Sequence, residues 1–579
     1  MAKPGSDLSS PISSEATYIF STDQEAGRRY GHVHHHTGRK LHSRLGGHVG
    51  HRGRAPGRGP NQRHLNQHHH AVGFWDRSMS KVRAHVIQMW LKTVLILVVF
   101  VLSVMSLYWA VLFKAEANMK NLKVAVVDFD GLTAPYDDVD PFVGPTLAQM
   151  AQEAADHRAQ PSLGYQVLPA SAYGYDPMQV RQAVYDFHFW AAIVVQANAS
   201  SLLQSSLFAG NSSYDPSGAI QMIFVSARDQ NTIFEFVLPQ FVQLEKQFMA
   251  RFGPAWAQRM ADNTSITSSM MSAAPATVNP GVSFLQIDLR PFQPAAATPG
   301  VSIGLIYLII IAFFSFAFFL PIHTVSGFTV YSGTPNHNMI FSASDSGRLT
   351  HTGTYLEIHH PTGPPPLHFW QFILWRLFAS LVAYVFVSLA YSMVSLAFQI
   401  PFSHPPASPV EVALNASAYG RGSFVVYWML NFVGMIALGI TCENVAMILG
   451  QPWTALWLIF WVITNVSTAF YSLDLAPRFF RWGYAWPLHN IVEASRQILF
   501  DLHPRIGLNF GVLFCWVAIN FTLFPLCCYF MRWKMEHEKR SAERNKDRYV
   551  VETFDGAKEY SKKEGDNPPI RRRGFMRGM

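Results

Sequence analysis

Residues 424–471 read FVVYWMLNFVGMIALGITCENVAMILGQPWTALWLIFWVITNVSTAFY. Two apolar runs, Phe424 to Leu449 and Trp453 to Tyr471, are parted only by Gly450, Gln451 and Pro452. A bilayer core about 30 Å thick is crossed by roughly 20 apolar residues in a helix. The stretch therefore holds two membrane spans joined by a three-residue turn, with one carboxylate, Glu443, inside the first. Working outward, the run before it is Phe369 to Phe398, with Arg376 near its start, and before that comes the uncharged Val301 to Leu320. Leu508 to Met531 follows and ends against Arg532 and Lys534. The most N-terminal run, Thr93 to Phe113, lies between Lys92 and Lys114. It comes after a long polar stretch and is too long for the apolar part of a cleaved signal peptide. The predicted fold is a polytopic α-helical membrane protein with six transmembrane helices and an extracytoplasmic α/β domain between helices 1 and 2.

Composition agrees. Of 579 residues only 14% are charged, against about 25% in soluble proteins. The net charge of +8 is sorted by block: residues 1–86 hold 13 Lys/Arg and 5 Asp/Glu, residues 532–579 hold 14 and 9, and residues 114–300 hold 10 and 16. Such sorting argues against a nucleic-acid binder and for a membrane protein with basic ends. An even number of spans puts both termini on one side, and the positive-inside rule makes that side cytosolic. The expected organisation is a disordered basic tail (1–86), a first helix (87–113), an outer α/β domain (114–300), a five-helix membrane domain (301–531) and a basic tail (532–579). In the membrane domain the spans are 301–320, 369–398, 424–449, 453–471 and 508–531. The glycosylation sequons at Asn198, Asn211, Asn263 and Asn415 then all face outward, whereas those at Asn465 and Asn520 lie inside spans.

The outer segment alternates strand and helix patterns. Leu122 to Phe129, Phe187 to Val195 and Ile220 to Ser226 read as strands, and Tyr165 to Leu168 as extended. Thr146 to His157, Pro177 to Asp186 and Thr232 to Phe252 read as helices. This alternation implies a mainly parallel sheet. Ala273 to Pro299, rich in Ala and Pro, reads as an extended lead into the second span. The domain has no cysteine, so its core must hold without disulfides. Pro487 to Phe500 places His489, Glu493 and Arg496 on one helical face and apolar residues on another, which predicts an interfacial or re-entrant helix beside the bundle.

Candidate chemistry is sparse. Residues 26–75 contain no acidic residue and carry His32, His34, His35 and His36: either a metal-binding tract or a solvated tail near anionic lipids. Cys527 and Cys528 beside Arg532 are either palmitoylation sites or small apolar filler. Asp128-Phe129-Asp130-Gly131 is similar to the nucleophile loop of haloacid-dehalogenase-like phosphatases. Leu132 stands where they carry Thr or Val, and no later Gly-Asp-x-x-x-Asp follows, so two aspartates at a strand-to-loop turn is the preferred reading. There is no phosphate-binding loop of the Gly-x-x-x-x-Gly-Lys-Ser/Thr type, so this chain has no ATPase motif of its own. The chain is expected not to be an enzyme and to need no cofactor. Ionisable groups within spans cost about 2.5–3.5 kcal/mol or more on insertion scales. Glu443 and Arg376, each about two turns from an inner end, are therefore either part of a substrate path or a structural ion pair, with snorkelling a further option for Arg376. Together with His489, Glu493 and Arg496 they form the candidate polar path.

One span, a large outer α/β domain and five further spans resemble the membrane subunits of type-2 ABC exporters. More closely, the chain resembles the fungal nitrosoguanidine-resistance membrane-protein family. The resemblance rests on residues 122–131 (LKVAVVDFDG), 143–147 (VGPTL), 431–450, 487–500 and 506–511 (IGLNFG), and covers roughly 90–530. The inner loop at 332–366 is longer than that family leads one to expect. The resemblance implies plasma-membrane residence and resistance to toxic compounds. The leading expectation is an exporter-like permease moving hydrophobic compounds or lipids, with membrane lipids and either a separate ATPase subunit or a second copy as partners. The competing reading is a non-transporting membrane organiser, and a surface hydrolase is the third.

Overall fold

The computed structural model describes residues 74–137, 139–156, 161–325, 368–450 and 452–565. The tract at His32, His34, His35 and His36, the 332–366 loop and the C-terminal arginines lie outside them. The chain divides into two compact units, Met1–Ser80 and Lys81–Met579. Apart from Ser80, the elements below belong to the second.

Helix α1 (Ser80–Ala110) begins ahead of the expected residue 87, and only 6% of its most apolar window is buried. Trp90, Leu95, Leu102 and Trp109 are all exposed, as suits a helix apolar all round and surrounded by lipid.

The α/β domain follows. Its elements are β1 (Lys123–Asp128), α2 (Val143–Asp156), β2 (Gly164–Pro169), α3 (Pro177–Tyr185), β3 (Ala191–Val195) and α4 (Ala199–Ala209), then β4 (Ile220–Phe224), α5 (Leu238–Asp262) and β5 (Phe284–Asp288). The sheet order is β2-β1-β3-β4-β5. All neighbours are parallel except β3 and β4, so the mainly parallel expectation holds. The central strands β1 and β3 are almost wholly buried, which is why they read as continuous apolar runs rather than alternating ones. The two faces of β1 have different fates. Val124 and Val126 join Leu147 of α2 and Phe241, Phe248 and Phe252 of α5 in one core. Ala125 and Val127 join Val180 and Val184 of α3 in a second core that runs on without a break into the membrane bundle. The sheet thus lies on the bundle through its α3 face.

Strand β5 corrects the reading of 273–299 as an extended lead. Its burial is partial because it is an edge strand, so it lacks the apolar run that marks β1 and β3. Helix α4 was not foreseen. Helix α5 runs ten residues beyond the expected Phe252, to Asp262.

The bundle comprises α6 (Ile306–Val325), α7 (Phe369–Ala397), α8 (Ser423–Leu449), α9 (Trp453–Ala469), α10 (Pro487–Phe500) and α11 (Ile506–Gly565). Among the described residues, five helices are long and apolar enough to cross a membrane, and α9, with 17 residues, is shorter. A length of 17 sits at the lower edge of the roughly 17–25 residues that span a bilayer. Helix α8 is the hub: 78% of its most apolar window is buried, and it touches α6, α7, α9, α10 and α11. Gly439 makes that closeness possible, since a Cβ there would overlap the Tyr384 hydroxyl and press on Ala312.

Two expectations change here. Of the two placements expected for α10, interfacial or re-entrant, the one-faced interfacial one does not hold: every residue but Glu493 is buried, packed among α8, α9 and α11. Helix α11 does not stop at Met531 but runs on to Gly565, 60 residues from its start at Ile506, so most of the predicted basic tail is helical.

Candidate functional site

The buried residues of α7 are Ile373, Arg376, Ser380, Tyr384, Ser388 and Ser392. Their spacing of three and four places them on one helical face, which here is polar along nearly its whole length. Arg376 Nη2 meets Glu443 Oε1 of α8 at 2.6 Å, with the two side chains 1% and 4% exposed. Ser380 Oγ donates to the other carboxylate oxygen at 3.5 Å. Arg376 Nη1 turns to the sulfurs of Met447 (3.4 Å) and Cys528 (3.8 Å). Further along, Tyr384 donates to the Ala312 carbonyl, Trp428 Nε1 to Ser388 Oγ (3.1 Å) and Asn431 Nδ2 to Ser392 Oγ (2.9 Å). Ser395 and Tyr427 close the series at 3.4 Å. From residue 376 to residue 395 a helix rises about 28 Å, close to the thickness of a bilayer core. The α7–α8 contact is thus a polar seam through an otherwise apolar pair of helices.

The other candidate residues do not join the seam. His489, Glu493 and Arg496 line a separate cavity of about 100 Å³ where the α/β domain meets α9, α10 and α11. The spacing along α10 brings them to one wall. His489 Nδ1 lies 3.0 Å from the Thr468 carbonyl, which can only accept, so Nδ1 carries a hydrogen. Nε2 faces Glu493 Oε1 at 3.5 Å. Arg496 donates to the Arg228 carbonyl and lies 3.7 Å from Asp229. Asp229 in turn caps the helical turn at 230–232 through Asn231 N, Thr232 N and the Thr232 hydroxyl. Across the cavity, the Arg228 guanidinium lies 3.7 Å over Trp190 and 4.4 Å over Phe187. Burial lowers the Arg228 pKa to about 10, against the opposing pull of Asp474.

A third cluster was not foreseen. Arg290, 1% exposed, follows β5 and pairs with Asp501 at 3.1 Å. It also donates to the carbonyls of Leu289, Ala407, Ser408, Glu411 and Asp501. Asp501 accepts from the Ala407 amide as well. One guanidinium therefore ties the domain, the 399–422 loop and the end of α10 together. A lone Arg in an Ala/Pro-rich stretch carries no periodic signal, which is why the sequence did not expose it.

The aspartate loop is a structural joint. Asp130 Oδ1 accepts from the Ser200 amide (2.8 Å), and Oδ2 from the Ser200 hydroxyl (2.5 Å) and the Gly144 amide (3.2 Å). It thereby anchors the N-terminal turns of both α2 and α4, where a carboxylate is favoured. Asp128 accepts from the Asp130 amide, and a Cβ at Gly144 would overlap its carboxylate. Among the described residues, no group of three or more His, Cys, Asp or Glu is placed to hold a metal ion. Asp130→Ala should cost roughly 2–4 kcal/mol, because it strips three bonds from buried donors. Burial raises the Asp128 pKa from 3.8 to about 6, so the folded domain holds that proton more tightly than the unfolded chain. Its contribution to stability is present at low pH and lost as pH rises towards 6. Asp128→Asn should therefore be near neutral at pH 4 and stabilising at pH 7, read by thermal unfolding at both.

The family described as "Protein of unknown function (DUF3533)" matches residues 93–343 and 348–522. The chain belongs to this family. It is 22% identical over 471 residues to the "Uncharacterized endoplasmic reticulum membrane protein YJR015W" of Saccharomyces cerevisiae, a match covering 78% of this chain and 82% of that one. No solved structure matches. The protein is thus a multi-span membrane member of the DUF3533 family. The seam pair Arg376–Glu443, the cavity wall of α10 and the Arg290–Asp501 joint all lie inside the DUF3533 matches.

Beyond the matched region, Cys527 and Cys528 are buried, 5% and 1% exposed, with Cys528 3.6 Å from Met447. Of the sequons, Asn211 and Asn263 are exposed, Asn198 and Asn415 half-buried, and Asn465 and Asn520 buried.

Proposed function

We propose that this protein is an exporter-like permease of six spans that moves a hydrophobic or lipid-like compound along the α7–α8 seam and so confers chemical resistance. The observation that supports it is the seam itself, a line of polar side chains about 28 Å long where each would cost free energy if it faced lipid. In this reading α9 is the sixth span, both termini are cytosolic and the α/β domain is outside. A separate ATPase or a second copy supplies the energy or completes the path, as in type-2 ABC exporters and the nitrosoguanidine-resistance type. The yeast relative is named as an endoplasmic reticulum protein, whereas the resistance role argues for the plasma membrane. The lumen of the one and the exterior of the other are topologically equivalent, so the orientation is the same in both.

Orientation has its own test. Gln at Asn198, Asn211, Asn263 and Asn415 together should abolish the gel-mobility shift produced by a deglycosylating enzyme. A surviving shift, or an epitope on residues 1–73 accessible on intact cells, would reverse the orientation.

A non-transporting organiser is the second reading, favoured by the 2.6 Å closure of the Arg376–Glu443 pair. Under it, the seam is interhelical glue of the kind polar groups supply within membranes, and the domain and basic ends bind partners and lipids. Efflux of a labelled amphiphile from cells with and without the protein distinguishes the two.

A further inference from the structure

The cavity beneath the α/β domain holds a feature that the seam does not explain. Asn509, in the first turn of α11, is fully buried and lines this cavity. Neither its Nδ2 nor its Oδ1 meets a hydrogen-bonding partner in the chain. A buried amide left this way costs about 1–3 kcal/mol per unsatisfied group, so the position needs a reason beyond packing. One turn earlier is Arg505, whose carbonyl receives the Asn509 amide at 3.2 Å. Arg505, an exposed residue, also lines the cavity; its guanidinium lies 5.3 Å from the Phe187 ring, and among the described residues no hydrogen bond or ion pair ends on it. Glu493, the one incompletely buried residue of α10, also lines the cavity, its Oε1 3.5 Å from His489 Nε2.

The cavity's other charges are already engaged. Asp474 receives the Trp190 indole at 3.0 Å, Asp229 caps its own turn and faces Arg496, and His503 pairs with Asp186. What carries no hydrogen bond or ion pair among the described residues is the Arg505 guanidinium, just ahead of α11, and the side-chain amide of Asn509 on it; the Glu493 carboxylate of the same cavity meets only the His489 ring. We infer that this cavity binds a small phosphate-bearing zwitterion, its phosphate held by Arg505 and Asn509 and its ammonium by Glu493. The volume of about 100 Å³ lies well below the roughly 300–1,000 Å³ of pockets that enclose drug-sized ligands. A volume of that order suits a headgroup better than a bulky toxin. A guanidinium with an amide donor suits phosphate oxygens, and a carboxylate in the same cavity selects against a plain anion.

The same chemistry comes from a phospholipid headgroup or from a free phosphoamine, and the assay separates them. Binding to purified full-length protein in detergent is measured for dihexanoyl phosphatidylethanolamine, free phosphoethanolamine, inorganic phosphate and dihexanoylglycerol. Phosphatidylethanolamine or phosphoethanolamine should bind at least tenfold more tightly than phosphate or dihexanoylglycerol. Which of the two binds better identifies the source. Asn509→Leu removes an unpaired buried amide, so the protein should melt at the same or a higher temperature while affinity falls about tenfold. Arg505→Gln should act alike on affinity, and Glu493→Gln should narrow the preference for the zwitterion over phosphate. Unchanged affinity in Asn509→Leu, or equal binding of dihexanoylglycerol or phosphate, overturns the assignment. Binding is measured without transport, so a failure here leaves the seam's role standing, and loss of transport elsewhere leaves this site standing.

Discussion

Glu443→Gln alone should sharply lower the amount of folded protein in the membrane, and so should Arg376→Met alone. Each leaves one charge of a pair that is almost wholly buried, 2.6 Å apart, without its partner. Breaking a buried pair in this way typically costs about 3–5 kcal/mol, whereas replacing both partners with uncharged groups is often neutral. That range is a large part of the roughly 5–15 kcal/mol that keeps a protein folded. The double variant should therefore return to near wild-type abundance. Met at 376 keeps an apolar side chain beside Met447 and Cys528, and Gln at 443 can still accept from Ser380. Abundance by quantitative immunoblot, with thermal unfolding in detergent, checks all three variants. Wild-type abundance in either single variant would mean that the charges are hydrated or reach the surface.

The second large effect belongs to Arg290. Arg290→Met should leave the acceptors at Leu289, Ala407, Ser408, Glu411 and Asp501 without their shared donor. A loss of about 3–5 kcal/mol is expected, because the Asp501 carboxylate is then buried and unpaired. Lysine should rescue little: a point charge with three donors cannot reproduce the planar fork. The signature is local. Hydrogen exchange should rise in the 399–422 loop and at β5, while the α2–α5 face of the sheet stays protected. Uniform loss of protection would mean that the domain has no stability of its own.

How far the sequence revealed this arrangement depended on periodicity. Apolar runs marked α6, α7 and α8 to within a few residues at most ends, because length and hydrophobicity alone specify a span. β1 and β3 were equally plain, since burial on both faces leaves an unbroken apolar run. β5 was not, because an edge strand shares its exposure pattern with a loop. Helix α10 showed its polar stripe of His489, Glu493 and Arg496, but not that this stripe would meet the α/β domain instead of solvent. The pairing of Arg376 with Glu443 followed from matched depth in neighbouring spans. The serines of α7 escaped notice because serine in an apolar helix is common; only their four-residue register against Trp428, Asn431 and Tyr427 makes them a seam. Arg290 and Asn509 gave no signal, because one owes its role to four distant carbonyls and the other to the lack of a partner.

The measurement that bears most directly on the seam as a transport path is efflux of a labelled amphiphile from cells that express no protein, the wild type, or the Arg376→Met/Glu443→Gln double variant at matched abundance. If the seam is the path, efflux is above background for the wild type and at background for a double variant that folds and reaches the membrane. A double variant that exports as the wild type does, or a wild type no faster than cells lacking the protein, would contradict it.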